Sequence, residues 1–303
     1  MDQQSVLVTG ACGFIGRHVV RHLHLLGYKV TALDCVAPNG CMPEGVLFEQ
    51  CDIRGELLPQ GPFDAVVHLA ALAGVRPSIG NEISYCQTNV IGTVRLLSRY
   101  AASKPVFVFA SSSSVYGPRS PLPFTEGDRE DPCSPYALTK LQCEQWGNLF
   151  ANLHGIRFVA LRFFSVWGPG QRPDLALEAF LRRIEAGQPV IINGDGTQRR
   201  DLTHVSDVAR AVEMAIRWKG LGHLTLNVGT GCNHTVLEML ESAKRVTQGG
   251  QGVTHVTPRI SFLPSNPADV PETLASIAAV RRELGWAPLI SFPNGSIRLD
   301  EKV

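Results

Sequence analysis

The run Gly10-Ala11-Cys12-Gly13-Phe14-Ile15-Gly16 constrains the chain most, because it stands between a short apolar segment, Ser5 to Thr9, and a segment with helical spacing. Apolar Ile15, Val19, Leu23 and Leu26 recur on one helical face from about Phe14 to Leu26, and Gly27 sits where a helix C-cap belongs. A second strand from Tyr28 to Leu33 ends on Asp34. Glycines let a backbone turn tightly and approach a pyrophosphate, and the helix start supplies oriented N–H groups and partial positive charge. A carboxylate at the end of the second strand can accept bonds from ribose hydroxyls and repels a 2′-phosphate. Gly10, Gly13, Phe14, Ile15, Gly16 and Asp34 are therefore candidate cofactor residues, with NAD favoured over NADP.

Strand and helix patterns continue to alternate, as in a parallel sheet covered on both faces. Further buried strands are expected at Ala65 to Leu69, Val106 to Ala110 and Arg157 to Arg162. After Arg162 the texture changes to loops rich in Gly and Pro, separated by a helix whose Leu177, Phe180, Leu181 and Ile184 form one apolar face. The expected fold class is α/β, a Rossmann-type doubly wound parallel sheet with a smaller C-terminal region. The first domain is drawn over 1–165, with segments near 205–230 returning to it, and the second mainly over 166–303.

With 303 residues and 44% hydrophobic side chains, the chain can bury a large core. Its formal net charge of +1 gives no electrostatic support for a nucleic-acid partner. No apolar run approaches the roughly 20 residues that span a bilayer, and the start of the chain lacks a signal-peptide pattern, so a soluble cytoplasmic protein is expected. Eight cysteines without C-x-x-C pairs imply no metal site and no disulfide framework, but reduced, mostly buried thiols.

Two more features carry chemistry. Ser134-Pro135 reads as a helix start, which puts Tyr136 and Lys140 on one face, four residues apart. A free phenol has a pKa of about 10, and a neighbouring ammonium lowers it toward a useful base. Upstream, Ser111 to Ser114 follow an apolar strand, at the carboxyl end where ligands collect in doubly wound sheets.

The G-x-x-G-x-x-G spacing together with Tyr136-x-x-x-Lys140 resembles the extended short-chain dehydrogenase/reductase superfamily. That resemblance implies NAD as cofactor, with Asp52 and Ile53 flanking the adenine, Leu69, Ala70 and Ala71 along the cofactor, and Tyr136 and Lys140 at the nicotinamide ribose. Aligned on Val115-Tyr116-Gly117, Ser112 matches the catalytic Ser/Thr, giving Ser112, Tyr136 and Lys140 as the catalytic set; Ser111, Ser113 and Ser114 are read as loop-capping residues, Ser113 also as a substrate neighbour. Nucleotide-sugar 4,6-dehydratases carry Asp-Glu where Ser113-Ser114 stand, because elimination needs a general acid and base.

His68 to Ser78, Arg162 to Asp174 and Gly194 to Asp201 resemble the segments that border the nucleotide sugar in this branch, so the resemblance is closest to nucleotide-sugar epimerases, in particular UDP-glucuronate 4-epimerases. It implies a nucleotide-diphosphate sugar as partner, Arg200 on its phosphates, and Arg76, Ser113, Ser165, Arg172 and Asp269 beside it. Arg199, Arg172 and Arg183 are otherwise expected to face solvent. The family usually has Asn where Ser165 stands, and a second phosphate-binding arginine where this chain reads Ser265-Asn-Pro-Ala268. The expected reaction is 4-epimerisation through a transient 4-keto sugar. The alternatives are a dehydratase or reductase using other groups, with Glu126, Cys133 or Glu144 as candidates, or a non-catalytic NAD-binding sensor. A homodimer is implied through the helix after Asn81 and the helix carrying Tyr136.

Overall fold

A computed structural model describes residues 3–40, 42–55, 57–248, 258–265, 269–295 and 297. Strands β1 (Ser5–Thr9), β2 (Lys29–Asp34), β3 (Leu47–Gln50), β4 (Ala65–His68), β5 (Val106–Ser112), β6 (Arg157–Phe163) and, later in the chain, β10 (His223–Val228) form one seven-stranded sheet. Its order is β10-β6-β5-β4-β1-β2-β3, and every pairing is parallel. Neighbouring residues of one strand serve opposite cores. Val6 and Val8 pack under helices α1 (Phe14–Leu25) and α7 (Val205–Ile216), while Leu7 joins Phe107, Phe109 and Phe158 on the other face.

That second face is covered by a broken helical stretch and one long helix. The short turns α2 (Val75–Ser78) and α3 (Glu82–Tyr85) lead through a π-helical turn, Cys86–Ile91, into α4 (Gly92–Tyr100). The long helix α5 (Pro135–His154) starts where the sequence predicts. Ser134 is extended and its Oγ accepts from Ala137 N at 3.1 Å; Gly155, with φ of 68°, closes the helix by donating to Ala151 O.

The remaining elements build a smaller layer over the carboxyl ends of the strands. Strands β7 (Ser165–Trp167), β9 (Arg199–His204) and β11 (Asn233–Thr235) form a second sheet, and β8 (Val190–Asn193) pairs with β12 (Ile260–Leu263). Helices α6 (Ala176–Glu185) and α8 (Val236–Gln248) pack on them through Leu177, Phe180, Leu181, Met239 and Leu240. The chain returns to the large sheet twice, with α7 and β10 and again with α9 (Ala278–Leu284), whose Val280 sits in the first core beside Trp286.

Three expectations change. Strand β5 runs two residues further than predicted, through Ser111 and Ser112, so the serine run begins inside the sheet. Strand β3, half-polar at the sheet edge, had no apolar pattern to announce it. Among the described cysteines only Cys143 is buried; Cys12 and Cys51 are half-buried, and Cys35, Cys86, Cys133 and Cys232 are exposed, so "mostly buried" is overturned. Cys41 lies outside the described residues.

Candidate active site

The glycine turn between β1 and α1 leaves no room for side chains. Gly10 has φ of 70°, and a Cβ there would stand 2.6 Å from Ala70 N; a Cβ on Gly16 would stand 2.0 Å from Gly10 O. The first-turn N–H groups of Phe14, Ile15 and Gly16 have no intrahelical acceptor, and no acidic residue occupies that turn. An anion is the ligand such a turn fits. Asp34 ends β2 with its carboxylate against the loop, accepting from Cys12 N at 2.9 Å and Val36 N at 3.1 Å. This leaves acceptor capacity for hydroxyls. Asp52 is bound by Arg54, and Ile53 is buried beneath it against Gly92.

A cavity of about 450 Å³ opens from this turn across the strand ends, lined by Gly10, Gly13 to Gly16, Leu69, Ala71, all four serines, Tyr136 and Lys140. The glycine cradle, the Asp34 carboxylate and the apolar walls Leu69 and Ala71 together fit an extended dinucleotide. Tyr136 and Lys140 lie one turn apart on α5. Lys140 is 4% exposed; its Nζ donates to Ala110 O at 2.8 Å and lies 5.8 Å from the Tyr136 ring centroid. Burial pushes its pKa down to about 8.

Burial raises the Tyr136 phenol above its ordinary value and outweighs the hydrogen bond from Ser112 and the Arg172 guanidinium, which pull the other way, so the net lowering expected from a neighbouring ammonium is overturned. Ser112 Oγ accepts from Ser114 Oγ at 2.9 Å and Ser114 N at 3.2 Å, so its own proton is free to point at the phenol. Ser114 thus orients the Ser112 hydroxyl, a contact that loop capping did not anticipate.

A buried polar chain fixes the loop after β4. Thr93 Oγ1 donates to Asn89 O, so it accepts from His68 Nε2 at 2.9 Å, and Thr9 Oγ1 then donates to His68 Nδ1 at 2.8 Å. The imidazole is held neutral, its pKa pushed down to about 3 by burial and by Lys140. Asn89, in the π-helical turn, accepts from Leu72 N and donates to Leu72 O and Thr139 Oγ1, which ties that loop to α5. No signal in the sequence marked it, since Asn89 follows Gln87 and Thr88 in a polar stretch of which it is the buried residue.

A second cavity of about 470 Å³ is continuous with the first; both are lined by Gly74, Ser165, Arg172, Arg200 and Asp269. Arg200 Nη1 donates to Arg199 O at 2.8 Å and leaves the rest of its fork to the cleft. Arg76 pairs with Asp269 across the cleft mouth. Arg172 pairs with Asp174 at 2.7 Å but lines both cavities, so the solvent-facing expectation for it is overturned. Arg199 bonds Asn233 instead of facing solvent, whereas Arg183 is on the outside, donating to Pro189 O. Asn266 to Ala268 lie outside the described residues. Ser113 and Cys133 line the first cavity; Glu126 binds Asn227 N and Glu144 is buried behind Ser111, so neither borders the cavity. Among the described residues, no cluster of His, Cys, Asp and Glu could hold a metal, and no helix is long and apolar enough to cross a membrane.

The model of the NAD dependent epimerase/dehydratase family matches residues 6–229. The chain belongs to that family. Among similar epimerases, UDP-glucuronate 4-epimerase 3 of Arabidopsis thaliana is 35% identical over 325 residues, covering 96% of this chain and 74% of the relative. The solved structure of MoeE5 in complex with UDP-glucuronic acid and NAD is 36% identical, with a TM-score of 0.86 and 96% of each chain covered. UDP-glucuronic acid 4-epimerase from Bacillus cereus, in complex with UDP-glucuronic acid and NAD, is 30% identical with a TM-score of 0.86, again over 96% of each chain.

Proposed function

We propose that this NAD-dependent nucleotide-sugar 4-epimerase acts on UDP-glucuronate, inverting the configuration at C4. One observation carries the reading: the phenol of Tyr136 faces a cavity edged by serine hydroxyls and Arg172, whose only lining carboxylate among the described residues, Asp269, is already paired with Arg76. Proton removal from a sugar hydroxyl is provided for, whereas among the described residues no free carboxylate lines the cavity to serve the acid and base of an elimination.

In this reading Tyr136, as phenolate, takes the C4 hydroxyl proton, and Ser112, oriented by Ser114, steers that hydroxyl and stabilises the phenolate. Lys140 keeps positive charge beneath the phenol and binds the nicotinamide ribose. Gly10, Gly13, Phe14, Ile15 and Gly16 hold the pyrophosphate, Asp34 the adenosine ribose, Asp52 and Ile53 border the adenine, and Leu69, Ala70 and Ala71 flank the cofactor. The cofactor's chemistry is reversible hydride acceptance at C4, so a 4-keto sugar that rotates before re-reduction leaves as the C4 epimer. Arg200 and Arg76 meet the diphosphate, and Ser113, Ser165 and Arg172 surround the sugar, with the Arg172 guanidinium matching a C6 carboxylate. Asp269 holds Arg76 at the cleft.

The same proposal includes a homodimer. Trp146, Leu149 and Leu153 lie exposed on the outer face of α5, near exposed Ile83 and Ile91 on the preceding helical stretch, a stripe that a second copy would cover. It also includes a cytoplasmic location, where exposed thiols such as Cys35 and Cys86 stay reduced.

Proton NMR in D2O of the NAD-supplemented enzyme with UDP-glucuronate tests the reaction. A new anomeric signal of the C4 epimer without deuterium at C5 is expected; an alkene, an accumulated 4-keto product or deuterium at C5 would refute it. Arg172→Ala should raise KM for UDP-glucuronate at least about 10-fold more than for UDP-glucose, since one charge-assisted bond is worth about 1.5–3 kcal/mol. Equal effects on both would remove the C6 carboxylate from the reading.

A further inference from the structure

The inner face of α5 carries two charges where a helix on a sheet ordinarily carries none: Lys140 and, one turn on, Glu144, 4% and 5% exposed. A buried carboxylate is tolerated only when fully bonded. Glu144 is bonded from two strands. Ser111, the penultimate residue of β5, donates to Oε1; Arg162 of β6, register partner of Ser111, donates from Nε to Oε1 at 3.0 Å and from Nη2 to Oε2 at 2.7 Å. Arg162 is 2% exposed, shares Nη2 with Glu130 at 2.7 Å and lies 4.7 Å over the Tyr116 ring. One carboxylate therefore pins α5, β5 and β6 together, one residue before Ser112 and one turn after Lys140.

The groups facing Lys140 are few. From its own helix come the Glu144 carboxylate, the Cys143 thiol and the Tyr136 ring; from β4 comes His68; from β5 come the Ala110 carbonyl at 2.8 Å and the Phe109 ring, whose centroid is 4.8 Å away. Glu144 is the only carboxylate among them, and the neutral His68 adds no negative charge.

We propose that Glu144 is a positioning residue for the reaction: its carboxylate anchors the end of β5 so that Ser112 points at Tyr136, and it supplies the anionic charge that keeps Lys140 an ammonium inside the core. This rests on the assignment of Ser112, Tyr136 and Lys140 to the chemistry. Burial already brings Lys140 down to about 8, with Cys143 and Glu144 acting in the opposite direction; the Cys143 thiol, itself pushed up to about 11 by burial, is uncharged near neutrality, which leaves the carboxylate as the anion. Losing that carboxylate lets the ammonium deprotonate at a lower pH.

Glu144→Gln preserves the shape and removes the charge. Because it leaves Arg162 with Glu130 alone, it is paired with the double variant Glu144→Gln/Arg162→Met, which removes the ion pair as a unit and leaves no unpaired guanidinium behind. The first readout is the titration of the Lys140 side chain, followed by its 13Cε shift in lysine-labelled protein and assigned with Lys140→Met. In folded Glu144→Gln the midpoint should fall by about one pH unit, since the carboxylate removed lies one turn from Lys140 on the same buried face; in the double variant, where a cation leaves with the anion, it should fall less. The second is the pH profile of kcat/KM, whose alkaline limb should move the same way. Ser111→Ala, which keeps the carboxylate, should lower kcat without moving the limb.

A folded Glu144→Gln variant whose Lys140 midpoint stays at the wild-type value overturns the proposal, as does an unmoved limb or a Ser111→Ala variant with wild-type kcat. The titration does not depend on the substrate, so an inactive wild type would refute the epimerase assignment while the midpoint still decides the role of Glu144.

Discussion

Replacing Tyr136 by Phe removes one oxygen from the candidate site, and the structure separates its effect on rate from its effect on folding. The ring remains anchored edge-on to Tyr85, with centroids 6.4 Å apart, and the α5 backbone is held by the Ser134 cap on Ala137 N, which does not use the phenol oxygen. The lost contact is one hydrogen bond to Ser112 at the wall of an open cavity, worth about 0.5–1.5 kcal/mol, so Tm should fall by only a few degrees. The glycine cradle, Asp34 and Lys140 Nζ, bonded to Ala110 O, are untouched, and NAD should stay bound with Kd within a few-fold of wild type. Turnover loses its base. A positioned acid–base group contributes about 10²–10⁴-fold, equivalent to about 2.7–5.5 kcal/mol of barrier, and the Ser114–Ser112 relay has no proton of suitable acidity to substitute. The assay is the initial rate of C4 epimer formation by NMR, run beside cofactor binding and thermal melting. A variant that keeps more than a tenth of wild-type kcat while remaining folded and NAD-loaded would refute the assignment of Tyr136 as the base.

Asp34→Asn keeps the two backbone bonds in part but removes the charge that opposes a 2′-phosphate, so NAD should bind about 10-fold more weakly and the NAD to NADP preference should narrow, measured by fluorescence titration. If Lys140 acts as an ammonium, its pKa, lowered to about 8, sets the alkaline limb, so kcat/KM should decline as pH rises through that value; a rate still climbing at pH 9.5 would contradict the role. Gly147→Ala would set a Cβ 2.1 Å from the Phe158 ring, forcing α5 off the sheet, and should cost about 1–3 kcal/mol in chemical denaturation and lower kcat, since Tyr136 and Lys140 ride on that helix. Trp146→Glu with Leu149→Glu should shift the protein to a monomer in light scattering while leaving it folded.

The parts of the site legible in the chain are those whose chemistry is local. The glycine turn, Asp34 at a strand end and the Ser134 cap that starts the Tyr136 helix each follow from neighbours within a few residues, and the structure reproduces each of them. Strand β3 escaped because an edge strand, wetted on one side, needs no continuous apolar run.

What the sequence by itself determined is the class of fold, the dinucleotide turn and the presence of a phenol and an ammonium on one helical face, because propensity, capping and 3.6-residue periodicity act over short spans. Only the tertiary structure decided what surrounds them. Arg172, 36 residues beyond Tyr136, is the cation that opposes the burial raising the phenol; Ser111 and Arg162, from two strands, both bond Glu144; and Arg76 finds Asp269 across the cleft from 193 residues away. Those pairings depend on how strands are ordered in the sheet and how the smaller layer sits on their ends, and burial then sets the strength of each charge. No local pattern encodes that environment, since the low dielectric that shifts a pKa is made by residues remote in the chain.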